Sequence, residues 1–276
     1  MAVIRLGERR PVAAPRRVRL GLPGLSALDR ALVESGALRL PADLVPEQSP
    51  MVAALAGVDL DLLLAEAGIA LLDQGVLDRE GLVAPVAANV AGLVASPHRV
   101  RVSLAGPDLD VLAYHWVDAA VGGSLVRDRG EATLSLYDAR SFGTELVDVL
   151  PDPGPGPGRD GRTAVEVPLD ALSTLPEVPE DPALRPELGA LLGIEPDLVP
   201  RVQEWSDGVQ GVLHLTVLAS EPGRLPGVLV WFLDRHGWWD ARTRQDAAGA
   251  RWVRLEPRAR RDLAPRLGVL LEGAWQ

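Results

Sequence analysis

The sequence predicts an α+β protein: a single, mostly antiparallel β-sheet with pseudo-two-fold duplication, flanked by two helical bundles. Three observations predict it. Helical patterns come in runs and strand patterns come in runs, instead of alternating singly. Short turns join the strand runs, which pairs neighbours antiparallel. Two stretches also share one plan. Leu112–Leu136 and Leu229–Leu255 each carry an apolar, aromatic run ending in an acid, Asp118 or Asp234. Each continues with a glycine turn, Gly122-Gly123 or Gly237. An R-x-R element follows, Arg127-Asp128-Arg129 or Arg242-Thr243-Arg244, the two lying 115 positions apart. The later stretch holds four of the chain's seven tryptophans.

In chain order, Arg16–Leu20 predicts a first strand, with Val18 and Leu20 on one face. Leu25, Leu28 and Leu32 recur at helical spacing and predict a helix over Pro23–Glu34, stopped at Gly36. Ser49-Pro50 is a cap with proline at the first helical position, predicting a helix over Pro50–Ala56. Asp59–Asp73 is a more apolar helix, ending at Gly75. A further helix starts near Ala84, because Pro85 lacks an amide donor and fits only a first turn or a kink. Val86, Val90, Leu93 and Val94 form its buried side, and Ser96-Pro97 ends it.

Strands then begin. His98–Leu104 alternates Val100, Val102 and Leu104 against Arg99, Arg101 and Ser103. Gly106-Pro107-Asp108 turns the chain into Leu109–Val117. Ser124–Arg127 and Ala132–Tyr137 follow, and Ser141 caps a short helix to Leu150. Arg162–Pro168 is the next strand. Leu169–Leu175, Pro186–Leu192 and Pro196–Trp205 are short helices. Gly211–Ala219, Gly227–Asp234, Trp239–Arg244 and Arg251–Leu255 form a second strand run. Gly227–Asp234 is apolar on both faces and therefore central. Asp262 caps the last helix, with Pro265 in its first turn.

Residues 151–161, PDPGPGPGRDG, read as a linker, since prolines and glycines at this density cannot pack as an element. The expected organisation is an N-terminal half over 1–150, the linker over 151–161 and a C-terminal half over 162–276, in one compact domain.

Composition narrows the function. The chain has 276 residues and no cysteine. That removes disulfides, thiolate nucleophiles and most structural zinc sites, and fits a reducing, cytoplasmic setting. Its cations are all arginines, and its net charge is −10. Such a chain is a poor nucleic-acid binder overall. The charge is uneven: residues 224–266 hold ten Arg against five acids, and residues 145–199 hold twelve acids against three Arg. MAVIRLGERRPV has no apolar core of a secretory signal, and no run approaches bilayer length, so no stable membrane insertion is expected.

No phosphate loop, H-E-x-x-H or G-x-S-x-G is present. The four histidines, His98, His115, His214 and His236, lack ligand spacing, so neither a metal nor another cofactor is expected. No catalytic residue is expected either. Asp118 and Asp234 read as strand ends that receive turn amides or an R-x-R arginine. An alternative is a small-molecule or catalytic site at the junction of the halves, near Asp118, Asp234, His115 and His214.

The positive signal is a surface. If helices cover one sheet face, the other collects Arg101, Tyr137, His214, Thr216, Trp252 and Arg254. That mixture of Arg, aromatics and hydroxyls matches protein-binding surfaces. Trp238 and Trp239, beside arginines, are candidate anchors for the same partner.

Three segments carry a family resemblance: VRLGLPGLSALDRALVESG, LDREGLVAPVAANVAGLVASPHRVRVSL, and RHGWWDARTR with WVRLEPRARRDLAPRLGVLLE. Together they resemble the EspG family of chaperones in actinobacterial type VII (ESX) secretion, over nearly the whole chain. The resemblance implies one sheet with pseudo-two-fold symmetry, two helical bundles and no enzymatic activity. It implies a cytosolic monomer or homodimer that covers the helical tip of a secreted client. That client is a PE–PPE heterodimer or a WXG100-like hairpin. No individual binding residue carries over.

Overall fold

In a computed structural model, residues 16–34, 39–45, 60–78, 81–153, 162–174, 184–218 and 227–275 are described. The expected helix over Pro50–Ala56 and residues 154–161 of the linker lie outside them.

The elements run in the order β1 (Arg16–Gly21), α1 (Leu22–Glu34), α2 (Leu60–Asp73), β2 (Leu77–Asp78), β3 (Gly81–Leu82), α3 (Ala84–Ala95), β4 (Arg99–Gly106), β5 (Leu109–Asp118), β6 (Val121–Asp128), β7 (Glu131–Asp138) and α4 (Phe142–Asp148). Then come β8 (Val165–Pro168), α5 (Leu169–Thr174), α6 (Leu184–Leu191), α7 (Val199–Gly208), β9 (Val209–Leu218), β10 (Gly227–Asp234), β11 (Gly237–Gln245), β12 (Arg251–Arg258) and α8 (Leu263–Trp275). Ten strands form one sheet in the order β1-β7-β6-β5-β4-β9-β10-β11-β12-β8. The class is α+β, as expected. The order is a palindrome: a leading strand, β1 or β8, lies beside the last strand of a four-strand meander. The small β2–β3 ribbon was not expected from the sequence.

The chain divides into two compact units, residues 1–99 with 114–145 and residues 100–113 with 146–276. In the first, Leu25, Leu28 and Leu32 of α1 are buried as their spacing requires, together with Leu71 of α2 and Leu20 of β1. Helix α3 has Pro85 in its first turn and buries Val86, Val90 and Leu93. Its one buried polar side chain, Asn89, is fully used. Asn89 accepts from the Trp116 indole at 2.8 Å and donates to the Ser135 carbonyl at 2.7 Å. An unpaired buried amide would be costly, so this pair of bonds fixes how α3 sits on β5, β6 and β7.

Two local expectations are corrected here. Gly122 and Gly123 do not form the turn; both lie inside β6. A Cβ on Gly122 would sit 2.4 Å from the Tyr137 ring, and one on Gly123 would sit 2.3 Å from Asn89. These glycines make room for neighbouring side chains, and the turn itself falls at Ala119-Ala120, with φ +47° at Ala119. The cap before α4 is also not Ser141. Asp138 accepts the Arg140 amide at 2.9 Å and starts a 3-10 turn that leads into the helix.

In the second unit, every strand of the β9–β12 meander is longer than or equal to its sequence estimate. Gly237 does mark a turn, with φ +140°, a conformation glycine tolerates best. Trp231 and Trp238 are fully buried in the core.

Candidate partner-binding faces

Cross-strand register sorts the second unit's side chains into two faces, because residues directly opposite in an antiparallel pair share a face. One face carries Leu213 and Leu215 of β9, Leu229 and Trp231 of β10, and then Asp240, Arg242, Arg254 and Trp252 of β11 and β12. The other carries His214 and Thr216, Val228 and Val230, and then Ala241, Leu255 and Val253.

Each face is covered over only half its width. On the first, α8 packs over β9 and β10, where Leu270 meets Gly227. The β11–β12 half is left to arginines. On the second, α5 and α7 cover β11 and β12 through Leu169, Leu172 and Trp205, which pack on Trp239, Val253 and Leu255. Trp205 also meets Phe232 edge to face, at 5.0 Å between centroids. Beyond that contact, no helix among the described residues covers the β9–β10 half. Val228 is 53% exposed there, His214 is exposed, and Val212, Thr216 and Val230 are half-buried. Leu104 of β4 reaches toward Gly211 on the first face, so the alternating Arg101 and Ser103 belong to the second, beside this open strip.

The residues expected to share one surface therefore separate. Arg101, His214 and Thr216 lie on the open apolar strip. Trp252 and Arg254 lie on the opposite face. Tyr137 is 5% exposed in the first unit, where its hydroxyl donates to the Gly123 carbonyl at 3.0 Å. Trp238 is fully buried and Trp239 is 7% exposed. The sequence pattern could not make this division, because it gives alternation within a strand but not the register between strands.

A cleft of about 450 Å³ opens on the same unit, lined by Arg162, Val202, Trp205, Asp234, His236 and Trp239 among others. Asp234 organises it. Its carboxylate accepts from the Trp239 indole at 2.7 Å and from the His236 amide at 2.7 Å, and pairs with Arg162 at 3.4 Å. The Arg162 guanidinium lies 5.0 Å over the Trp239 ring and donates to the His236 carbonyl at 3.1 Å. The turn amide was expected for Asp234; Arg162, Trp239 and their stacking were not, since Arg162 is 72 positions away. Asp118 ends the equivalent strand but is exposed, so the matching acids stand in different surroundings. Nor are the histidines alike. His115 is 1% exposed and His214 is exposed. Among the described residues, no three His, Asp or Glu side chains gather to hold a metal ion.

These half-covered faces belong to a fold already seen elsewhere. No family model and no curated protein sequence matches the chain. Among solved structures it is similar to the Mycobacterium tuberculosis type VII secretion system chaperone EspG5, solved in complex with a PE25-PPE41 dimer. That likeness has a TM-score of 0.58 at 14% identity, over 93% of this chain and 96% of the other. It is a likeness of fold. Among the described residues no helix is long and apolar enough to cross a membrane.

Proposed function

We propose that this chain is a chaperone-like binding protein, acting without catalysis, that covers an apolar helical segment of a secreted client. The observation that carries the reading is the open strip of β9 and β10. Val228 stands 53% exposed near the start of β10, an interior strand of the sheet that is apolar on both faces. Thr216 lies directly across from it and Val230 next along the same face, with Val212 further on, and among the described residues the helices of the unit pack elsewhere. An apolar strip rimmed by Arg101 and His214 suits a partner that brings its own apolar side chains.

The fold likeness supports the same reading, since the similar structure is a secretion chaperone holding a PE–PPE pair. By that analogy the client is a PE–PPE heterodimer or a WXG100-like helical hairpin, met in the cytoplasm before export. The acidic bulk of the chain keeps such a carrier soluble. Residues 1–150 and 162–276 act on this reading as two repeats of one scaffold.

Co-expression with each PE-, PPE- or WXG100-like protein of the same genome tests the proposal. Co-elution of one such protein with the chain, and its loss from the soluble fraction when expressed alone, is the expected result. If every candidate stays soluble alone and none co-elutes, the reading fails.

A further inference from the structure

The arginines on the opposite face define a second surface, and its argument does not depend on the client reading. Arg242 stands directly across from Arg254 in the β11–β12 register. Like charges directly opposite on one sheet face are destabilising. Each has an acid on its own strand, Asp240 for Arg242 and Glu256 for Arg254, and the two cations stand side by side above those partners. Here the next positions repeat the theme: Arg244 faces Trp252 and lies 5.6 Å over its ring, and Arg258 faces Trp238.

The carboxylates of this region lie beneath or beside the arginines. Asp240 is almost wholly buried, 3.1 Å from the Trp231 indole that donates to it. Arg242 reaches it at 2.9 Å, Arg266 of α8 at 3.6 Å and Arg258 at 3.8 Å. Glu256 accepts from Arg254 at 2.7 Å and is also paired with Arg258 and, at 3.7 Å, with Arg242. Glu166 of β8 pairs with Arg244. Asp246 is a fourth carboxylate, accepting from the Trp252 indole at 3.0 Å in the field of Arg244. Five guanidiniums against four carboxylates leave a local excess of positive charge on a chain whose net charge is −10. The outermost groups are three of the arginines: the side chains of Arg242, Arg244 and Arg254 are 42%, 53% and 52% exposed, against 2% for Asp240, 19% for Glu256 and 34% for Glu166.

The Arg244–Glu166 pair is exposed on both sides, and such pairs are worth only about 0–1 kcal/mol, so an incoming carboxylate displaces Glu166 at little cost. Arg242 and Arg254 keep Asp240 and Glu256 through Nε and offer their outer N–H groups. Guanidinium forks hold carboxylates in bidentate geometry, and three of them held on a rigid strand pair lose little freedom on binding. We propose that the arginine ladder of β11 and β12 is a docking surface for an acidic segment of a protein partner. Polypeptide is favoured over nucleic acid because a duplex extends past the patch, where the acidic remainder of the chain would repel it, whereas a short acidic segment ends within the patch.

Fluorescence anisotropy with a labelled poly-glutamate peptide, and a poly-glutamine peptide of equal length, tests this on the intact chain. The poly-glutamate peptide binds, more weakly as salt rises, and poly-glutamine does not. Arg254→Gln weakens binding several-fold and Arg254→Glu by about tenfold or more. Glu256 keeps Arg258 and Arg242 in both variants, and the like-charge pair is relieved, so the thermal midpoint does not fall in Arg254→Gln. If Arg254→Glu fails to fold, Arg254→Gln with Arg244→Gln gives the same readout. Unchanged peptide affinity in the folded variants overturns the proposal. So does tighter binding of duplex DNA than of poly-glutamate.

Discussion

His115 shows how much a single buried side chain dictates. It lies in β5, 1% exposed, 3.2 Å from the Tyr137 hydroxyl through Nδ1. That hydroxyl donates its proton to the Gly123 carbonyl, so its oxygen can only accept from the imidazole. The ring is therefore the Nδ1–H tautomer, with Nε2 buried and without a partner among the described residues. Burial disfavours the charged form and pushes the pKa down from 6.5 to about 3. The sign of the consequence is fixed. Between pH 6.5 and pH 3 the unfolded chain takes up a proton that the folded chain refuses. Stability is whole above that window and is lost as pH falls through it. Urea midpoints from neutral to mildly acidic pH should therefore fall less steeply in His115→Asn than in the parent. Equal slopes would show that His115 is not the group responsible. From the sequence this residue read as an ordinary strand histidine, and that is close to what it is. Its burial depends on Tyr137 and Phe142 meeting against it, and no local pattern reports that.

At the scale of elements, most of the fold was legible. Period-three-and-four leucines gave α1, alternating valines gave β4, and Pro85 gave the start of α3. One misreading has a packing cause. Gly122 and Gly123 look like turn signals, yet they sit inside β6 because a neighbouring side chain occupies the place of their Cβ, and Gly92 inside α3 is held by the same kind of contact. A Cβ on Gly92 of α3 would lie 2.3 Å from the Trp116 indole. Alanine at a helix interior gains about 1 kcal/mol in propensity over glycine. Overpacking against a ring held by Asn89 costs about 1–3 kcal/mol, and at this distance the cost wins. Gly92→Ala should lower the denaturation midpoint. Gly68 of α2 has nothing within 4 Å of its would-be Cβ, and Gly68→Ala should raise the midpoint by about 0.5–1 kcal/mol of stability. Shifts of the same sign in both would contradict the packing account. Register was the other illegible quantity. Arg254 and His214 both sit on polar-looking alternations, but the register through three antiparallel pairings puts them on opposite faces.

For the molecule as a whole, the strand order reads the same from either edge of the sheet. A module that places its leading strand beside the last strand of a meander produces a palindromic order when copied, with β4 and β9 in the middle. In the second unit the helices before the meander cover one half of one face, and the helix after it covers the other half of the other. What remains open is an apolar strip on β9 and β10 and an arginine ladder on β11 and β12. The candidate partner surface was legible in the sequence only as a list of residue types. Its division into an apolar and a basic part needed coordinates, and so did the burial of Tyr137, Trp238 and Trp239. The central claim is that the β9–β10 strip grips a helical client. Titration calorimetry of the co-purifying client into the parent chain and into Val228→Asp tests it most directly. Val228 is 53% exposed, so the charge should leave the unfolding midpoint nearly unchanged while affinity falls by about tenfold or more. Equal affinity for the two folded chains would contradict the account.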